Sequence, residues 1–186
     1  MEAQVKGQSI LAVKTYIEKK FGDGALPKII QKMPANEAQT LLKTIIPASW
    51  QPEKAFVSLL EAIELLYGDK SYKVSKDIGL SSARENISRF YKIFIHFGDP
   101  AFVISRAGRV WSQIHNTGEM TGEKLSNNSA AARVRGYALA NKAFCAYLTG
   151  YMTGILEMSG ANKISVQETK CVLSGGDCCE FTATWE

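Results

Sequence analysis

The chain has 186 residues, 46% of them apolar, and its 22 basic and 18 acidic residues give a net charge of +4. A chain of this length and apolar content can build a hydrophobic core without disulfides. Its small positive excess contains no long run of like charge. That pattern argues against nucleic acid or a membrane surface as a partner.

The N-terminal sequence lacks the unbroken apolar run of a signal peptide. No segment approaches the roughly 18 apolar residues of a membrane-spanning helix. We therefore expect a cytoplasmic protein whose thiols stay reduced. We also expect one ligand-binding domain over residues 1–186, with a mainly helical part (1–116) followed by an α+β part (117–186).

Apolar periodicity predicts helices through the first two thirds of the chain. The first begins after Ser9 and ends at Gly22, and a stronger one begins after Pro52 and ends at Gly68. Shorter or later helices are expected at about residues 26–33, 37–45, 83–97 and 100–111.

The pattern changes after Gly118. Residues 119–140 predict two short strands joined by a turn at Asn127 and Asn128. Asn141 then caps a buried helix that extends to about Ser159, and two alternating segments around a Gly-Gly turn predict a second hairpin. The expected fold class is α+β, with helices followed by hairpin, helix and hairpin, and with a small antiparallel sheet packed on helices.

Three of the four cysteines lie in the last 16 residues, at Cys171, Cys178 and Cys179. A reducing compartment and the strained geometry of a neighbouring cysteine pair argue against disulfides. With Cys145 and Glu168, the thiols give the spacing C-x22-E-x2-C-x7-C, which suits a metal site. Buried cysteines that act as small apolar residues are the alternative, and spacing alone leaves both open.

The metal interpretation requires an irregular strand. Glu168 and Cys171 are an odd number of residues apart, so a regular strand would place them on opposite faces. Both can face one ion only if the strand bulges or ends between them. The length of the following loop decides whether Cys178 or Cys179 joins Cys171.

Residues 141–185, with "GYMTGILEMSGANKISVQETKCVLSGGDCCEF" at their centre, resemble the 4-vinyl reductase domain, a small-molecule-binding module of bacterial and archaeal regulators. The shared features are a helix with Gly-x-x-x-Gly, a Glu-x-x-Cys strand, a Gly-Asp turn and Cys-x-Phe. Upstream, "VKGQSILAVKTYIEKKFG" and "AIELLYG" are similar to an uncharacterised bacterial family with many myxobacterial members.

The resemblance implies a zinc cofactor. Phenol-sensing regulators with this domain hold zinc through three cysteines and one glutamate at the same spacing. Carried over, the ligands are Cys145, Glu168, Cys171 and Cys179, and Cys178 is extra. Four protein ligands leave no open position, so the expected role is structural.

A ligand pocket is predicted beside this site. Apolar residues share one face of the buried helix with Cys145, and the upstream helices supply aromatic side chains. The predicted lining residues are Phe94, Trp111, Leu148, Met152 and Ile155.

No phosphate loop, catalytic triad, zinc-protease motif or nucleotide-cofactor fingerprint occurs, so we do not expect an enzyme. Of the two histidines, His96 follows the polar stripe of its helix and would be solvated, or would turn inward if the helix ended early. His115 stands at a helix end and is expected at the surface.

These observations favour a sensor for a small apolar or aromatic molecule, which signals as a homodimer or through a partner. A protein–protein adaptor with a filled core is one alternative. A haem-binding or gas-binding sensor is another, and it requires a histidine in the pocket, for which His96 is the predicted residue.

Overall fold

A computed structural model describes residues 2–86 and 99–186 of the chain. Its first half contains β1 (Gln4–Lys6), α1 (Gly7–Phe21), α2 (Ala25–Ile30), α3 (Ala35–Leu42), β2 (Trp50–Pro52), α4 (Glu53–Tyr67) and α5 (Lys73–Asn86). After residue 98 come α6 (Pro100–Ser105), α7 (Ala107–Ile114), β3 (Glu119–Ser126), β4 (Ser129–Arg135), α8 (Lys142–Met158), β5 (Ser165–Lys170), a 3₁₀ turn (Val172–Ser174) and β6 (Cys179–Thr184).

The predicted α+β class is confirmed. Four antiparallel strands form a sheet in the order β3-β4-β6-β5, and α8 connects its two hairpins. Helices pack on this sheet, and apolar residues of both layers form the core. Strands β1 and β2 form a separate antiparallel pair that joins the two ends of the first helical segment.

Local signals explain where helix α8 begins. The side chain of Asn141 accepts a hydrogen bond from the backbone N–H of Phe144 at 2.8 Å. This bond satisfies one of the N–H groups that a helix start leaves unpaired. Helix α8 therefore begins as predicted, and Cys145 lies in its first turn.

Helices α5 and α8 pack closely because a glycine on each helix lies against the backbone of the other helix. A Cβ atom at Gly150 would lie 1.8 Å from the carbonyl oxygen of Lys76, and one at Gly79 would lie 1.9 Å from that of Tyr147. Both separations are far below van der Waals contact, so only glycine allows this helix pair to approach so closely.

Three predictions of local structure differ from the fold. Helix α5 begins at Lys73, ten residues before the predicted start, and residues 87–97 of the predicted helix lie outside the described residues. The predicted helix at 100–111 is two helices, since the chain leaves helical geometry at Arg106. The β1–β2 pair was not predicted because strands of three residues are too short to show a periodic pattern.

None of the described helices is both long and apolar enough to cross a membrane.

Candidate functional site

A cavity of about 510 Å³ lies between α8, the helices α6 and α7, and the sheet. Its walls are mostly aliphatic and aromatic. They include Phe56 of α4, Ile104 of α6, Met120 of β3 and Ala132 of β4. The cavity volume falls within the roughly 300–1,000 Å³ of small-molecule sites in proteins.

Four of the five predicted pocket residues line this cavity. Trp111 comes from α7, while Leu148, Met152 and Ile155 come from α8. Trp111 is buried, and its indole N–H donates to the carbonyl oxygens of residues 117 and 118, at 3.0 and 3.1 Å. The fifth residue, Phe94, lies outside the described residues. Whether these residues bind a ligand stays a prediction.

His115 also lines the cavity, and its predicted surface position is wrong. Its side chain is only 7% exposed, and its Nδ1 is hydrogen-bonded to the carboxylate of Glu53, which is 0% exposed. His115 follows α7 directly and forms an isolated β-bridge with Val5. The polarity of histidine predicted a surface position. The hydrogen bond to this carboxylate, 62 residues away in the chain, offsets the free-energy cost of burying the imidazole. The other histidine, His96, lies outside the described residues.

Further hydrogen bonds hold the Glu53 carboxylate in place. The hydroxyl of Tyr137 donates to Oε1 at 3.0 Å, and the hydroxyl of Thr117 donates to Oε2 at 3.5 Å. Burial, and then the charge of Glu53, raise the pKa of the Tyr137 phenol well above its ordinary value. Tyr137 therefore stays neutral and acts as a donor. We call Glu53, His115 and Tyr137 the buried polar triad.

Aromatic rings enclose the triad. Trp111 stacks on the imidazole of His115 with ring centroids 4.1 Å apart, and Phe144 stacks on Tyr137 at 4.6 Å. The orientation of the imidazole is thus fixed by a ring contact as well as by a hydrogen bond.

Two arginines, Arg106 and Arg109, also line the cavity. The guanidinium group of Arg106 lies over the ring of Phe102, 4.8 Å from the ring centre. Guanidinium groups bind carboxylates well, so this side of the cavity could receive an acidic group.

The second candidate site is the thiol cluster, formed by Cys145, Glu168, Cys171 and Cys179. One potential ligand atom from each residue lies within 4.8 Å of the others. The sulfur atom of Cys171 is 4.0 Å from that of Cys145 and 3.9 Å from that of Cys179. The residues predicted from the spacing therefore do come together.

The irregularity that this convergence required is present. The β5–β6 pairing shifts its register between Glu168 and Lys170, and Cys171 lies beyond the end of β5. Cys179 begins β6, while the buried Cys178 contacts Asp177 instead.

Two thiols of the cluster, Cys145 and Cys179, favour the protonated form in the absence of a metal ion. Burial raises the pKa of Cys145, and the hydrogen bond to Glu168 raises it further. Burial also raises the pKa of Cys179 to about 11, with Cys171 contributing. A bound cation would reverse this preference, because thiolates are the form that ligates metals.

A second cavity of about 350 Å³ lies between the two sites. Cys145 and Cys179 of the thiol cluster line it, as does Tyr137 of the buried polar triad. Leu148 lines both cavities and stands between them.

Comparison with known protein families gives no match. Comparison with curated proteins gives none either. Solved structures do match. An H-NOX protein from S. oneidensis in the Fe(II)NO ligation state has 17% identity and a TM-score of 0.74, over 97% of this chain and 99% of that chain. The chain has the H-NOX fold.

Two further structures give the same result at lower identity. A mutant of the H-NOX protein from K. algicida, Fe(II) and unliganded, has 14% identity and a TM-score of 0.72, over 97% of this chain and 96% of that one. A structure from work on haem distortion in the H-NOX family has 10% identity and a TM-score of 0.69, over 97% and 95%.

The resemblance to the 4-vinyl reductase domain, and that of the N-terminal part to an uncharacterised family, are wrong. No family model matches, and solved structures of H-NOX domains share the fold of this chain. The motif does not identify the family, because its glycines serve helix packing and turn formation. Gly150 allows α8 to approach α5, and Gly175 adopts the left-handed conformation after the 3₁₀ turn.

Zinc as the cofactor is wrong as well. It was implied by that resemblance, whereas the matched structures are described with Fe(II) and haem, and nothing in the described residues identifies zinc. The metal-ligand role of the thiol cluster is a separate statement about residues and stays a prediction.

Proposed function

We propose that this chain is a sensor domain that binds haem in its 510 Å³ cavity and, through haem, a small gas. The observation that carries the proposal is a buried imidazole on the wall of an apolar cavity, inside the fold of H-NOX domains. This replaces the free apolar or aromatic molecule as the favoured ligand.

The described residues supply the chemistry that haem needs. Haem iron is held in proteins by histidine, cysteine, methionine or tyrosine side chains, and His115 offers an imidazole here. Burial raises the pKa of Tyr151 to about 12, so this cavity phenol stays protonated and is a poor ligand. Arg106 and Arg109 would pair with the haem carboxylates.

When bound, haem would supply the iron at which a diatomic gas binds. The chain's own part is to position the group and to exclude water. The aliphatic walls from α6 and α8 provide a dry cavity, and the stacked Trp111 and His115 define one face of it. Binding of haem and a gas requires no catalytic side chain, so we propose a sensor and not an enzyme.

The cavity also bears on the adaptor hypothesis. An adaptor would have a filled core and a large exposed apolar surface, whereas a sensor would have a cavity. The 510 Å³ cavity favours the sensor. We propose that the signal from ligand binding then passes to a partner protein or to a second copy of the chain, in the cytoplasm.

A second candidate ligand is a small apolar or aromatic molecule without iron. The cavity walls favour it directly, because most of them are hydrocarbon or aromatic ring. Such a ligand would use the same residues, Trp111, Leu148, Met152 and Ile155, and would give no haem absorption band.

The test is a titration of the purified chain with haem, followed by absorption spectroscopy. We expect saturation at one haem per chain, and a further spectral change when the reduced complex meets NO or CO. Binding of apolar compounds without any haem band would favour the second candidate. Absence of both would contradict the sensor proposal.

A further inference from the structure

The structure assigns a second binding site, for a small uncharged aromatic molecule, to the cavity of about 350 Å³. This cavity lies between the end of β4, the first turns of α8 and the start of β6. Its volume falls within the range of small-molecule sites in proteins. The inference goes beyond the proposed function, because it does not depend on what fills the larger cavity.

The two cavities have different linings. Among the described residues, Leu148 is the one that lines both. Trp111 and His115 line the larger cavity, whereas Tyr137 and Phe144 line the second one. A molecule in the second cavity therefore contacts its own set of side chains, and both cavities can be occupied at once.

The lining of the second cavity favours an uncharged ligand. None of the described residues that line it has an acidic or basic side chain, whereas Arg106 and Arg109 line the larger cavity. The thiols of Cys145 and Cys179 behave as small, weakly polar groups. A charged ligand would lose its hydration here and gain no counter-charge in return.

The size and the walls of the second cavity favour an aromatic ligand. An apolar cavity of about 150 Å³ is large enough for benzene, so this cavity admits a molecule of two fused rings. Aromatic ligands gain ring contacts with Phe144 and favourable contacts with the sulfur atoms of Cys145 and Cys179.

The second cavity is formed before a ligand arrives, and it is open to solvent. The hydroxyl of Tyr137 donates to Glu53 at 3.0 Å, and the ring of Tyr137 stacks on that of Phe144. These contacts keep both rings from turning to fill the space. Ala138 and Val172 line the cavity and are exposed, so a ligand can enter beside them.

The first experiment adds indole to the full chain, labelled with ¹³C at its alanine methyl groups. Ala138 and Ala140 line the second cavity, whereas Ala107 and Ala132 line the larger one. We expect saturable shifts in the signals of Ala138 and Ala140, with or without shifts at the other two. Shifts confined to Ala107 and Ala132, or no shift at any indole concentration, would overturn the inference.

The second experiment fills the cavity. Ala140→Phe places a ring in it and should abolish the indole-dependent shift at Ala138. Ala161→Phe is the matched control, because Ala161 is also a partly buried alanine in a loop beside α8, and this variant should bind indole normally. A folded Ala140→Phe chain that still shows the shift at Ala138 would overturn the inference.

The third experiment tests the preference for an uncharged ligand and needs no variant. Indole-3-acetate has the same two rings and adds a carboxylate. We expect it to bind at Ala138 more than about 10-fold more weakly than indole, because the described lining offers no counter-charge. Equal affinity of the two compounds at Ala138 would overturn the assignment of an uncharged ligand.

Discussion

The sulfur atoms of Cys145 and Cys171 lie 4.0 Å apart, although 26 residues separate them in the chain. Helix α8 carries the first thiol and the end of β5 carries the second, so the contact joins the buried helix to the last hairpin. A cation bound at the thiol cluster would stabilise this connection, because it would bind the folded chain better than the unfolded one.

The first prediction is that the thiol cluster holds one soft transition-metal ion per chain. Cys171→Ser should lose the ion and loosen the C-terminal hairpin, since it removes one of the ligands. Cys178→Ser is the matched control, because Cys178 contacts Asp177 and not the cluster. Elemental analysis of protein purified without chelator measures the ion. Loss of metal from Cys178→Ser would contradict the choice of Cys179 as the ligand. An unmodified chain without metal would contradict a metal site at the thiol cluster.

The second prediction concerns Leu148, which stands between the two cavities. Leu148→Trp should fill part of the larger cavity and abolish haem binding without disturbing metal at the thiol cluster. Leu148→Met conserves the volume and should bind haem as the unmodified chain does. Absorption titration measures both. Unchanged binding by Leu148→Trp would place the ligand elsewhere.

The third prediction tests the buried polar triad in the free protein. Tyr137→Phe removes a donor to a buried carboxylate, and hydrogen bonds to charged groups contribute about 1.5–3 kcal/mol. We expect urea unfolding to show a loss of that size. Tyr16→Phe, at a partly exposed tyrosine, should change the free energy of unfolding much less. If Tyr137→Phe lowers the free energy of unfolding as little as Tyr16→Phe does, the Tyr137 hydroxyl contributes little to stability.

The fourth prediction concerns the α5–α8 contact. Gly150→Ala would place a methyl group against the carbonyl of Lys76 and should cost about 1–3 kcal/mol or more through forced helix displacement. Gly24→Ala is the control, since a Cβ there meets no atom within 4 Å. Thermal unfolding compares the two. A stable Gly150→Ala chain would show that the helices separate easily.

The fifth prediction is a homodimer. Exposed apolar side chains in the helical half, among them Leu42, Ile46 and Leu65, leave surface that a second copy could cover. Light scattering at micromolar concentration should give twice the 20.4 kDa mass of one chain. A mass of one chain would contradict this, and the output would then need another protein.

The sequence predicted the C-terminal half well because its signals are local. Asn141 marks a helix start, the Asn127–Asn128 turn joins two strands, and the spacing C-x22-E-x2-C-x7-C contains the four residues that converge in the thiol cluster. Each of these features depends on residues close in the chain or on a regular hairpin.

The buried polar triad could not be predicted in the same way. His115 is hydrogen-bonded to Glu53, and nothing in the residues around either one indicates the pairing. Glu53 is the first residue of α4, and acidic residues are common in the first turn of a helix. The one available signal was that two extended segments, around Val5 and His115, could pair and so bury the end of α7.

Native mass spectrometry of the chain, expressed with a haem precursor and purified without denaturant, tests the proposed haem site most directly. It resolves bound haem, bound organic molecules, metal ions and oligomeric state in one spectrum. We predict one haem per chain, lost when the cavity is filled by Leu148→Trp. A chain that carries no haem, or that carries haem equally well with its cavity filled, would contradict the proposed function.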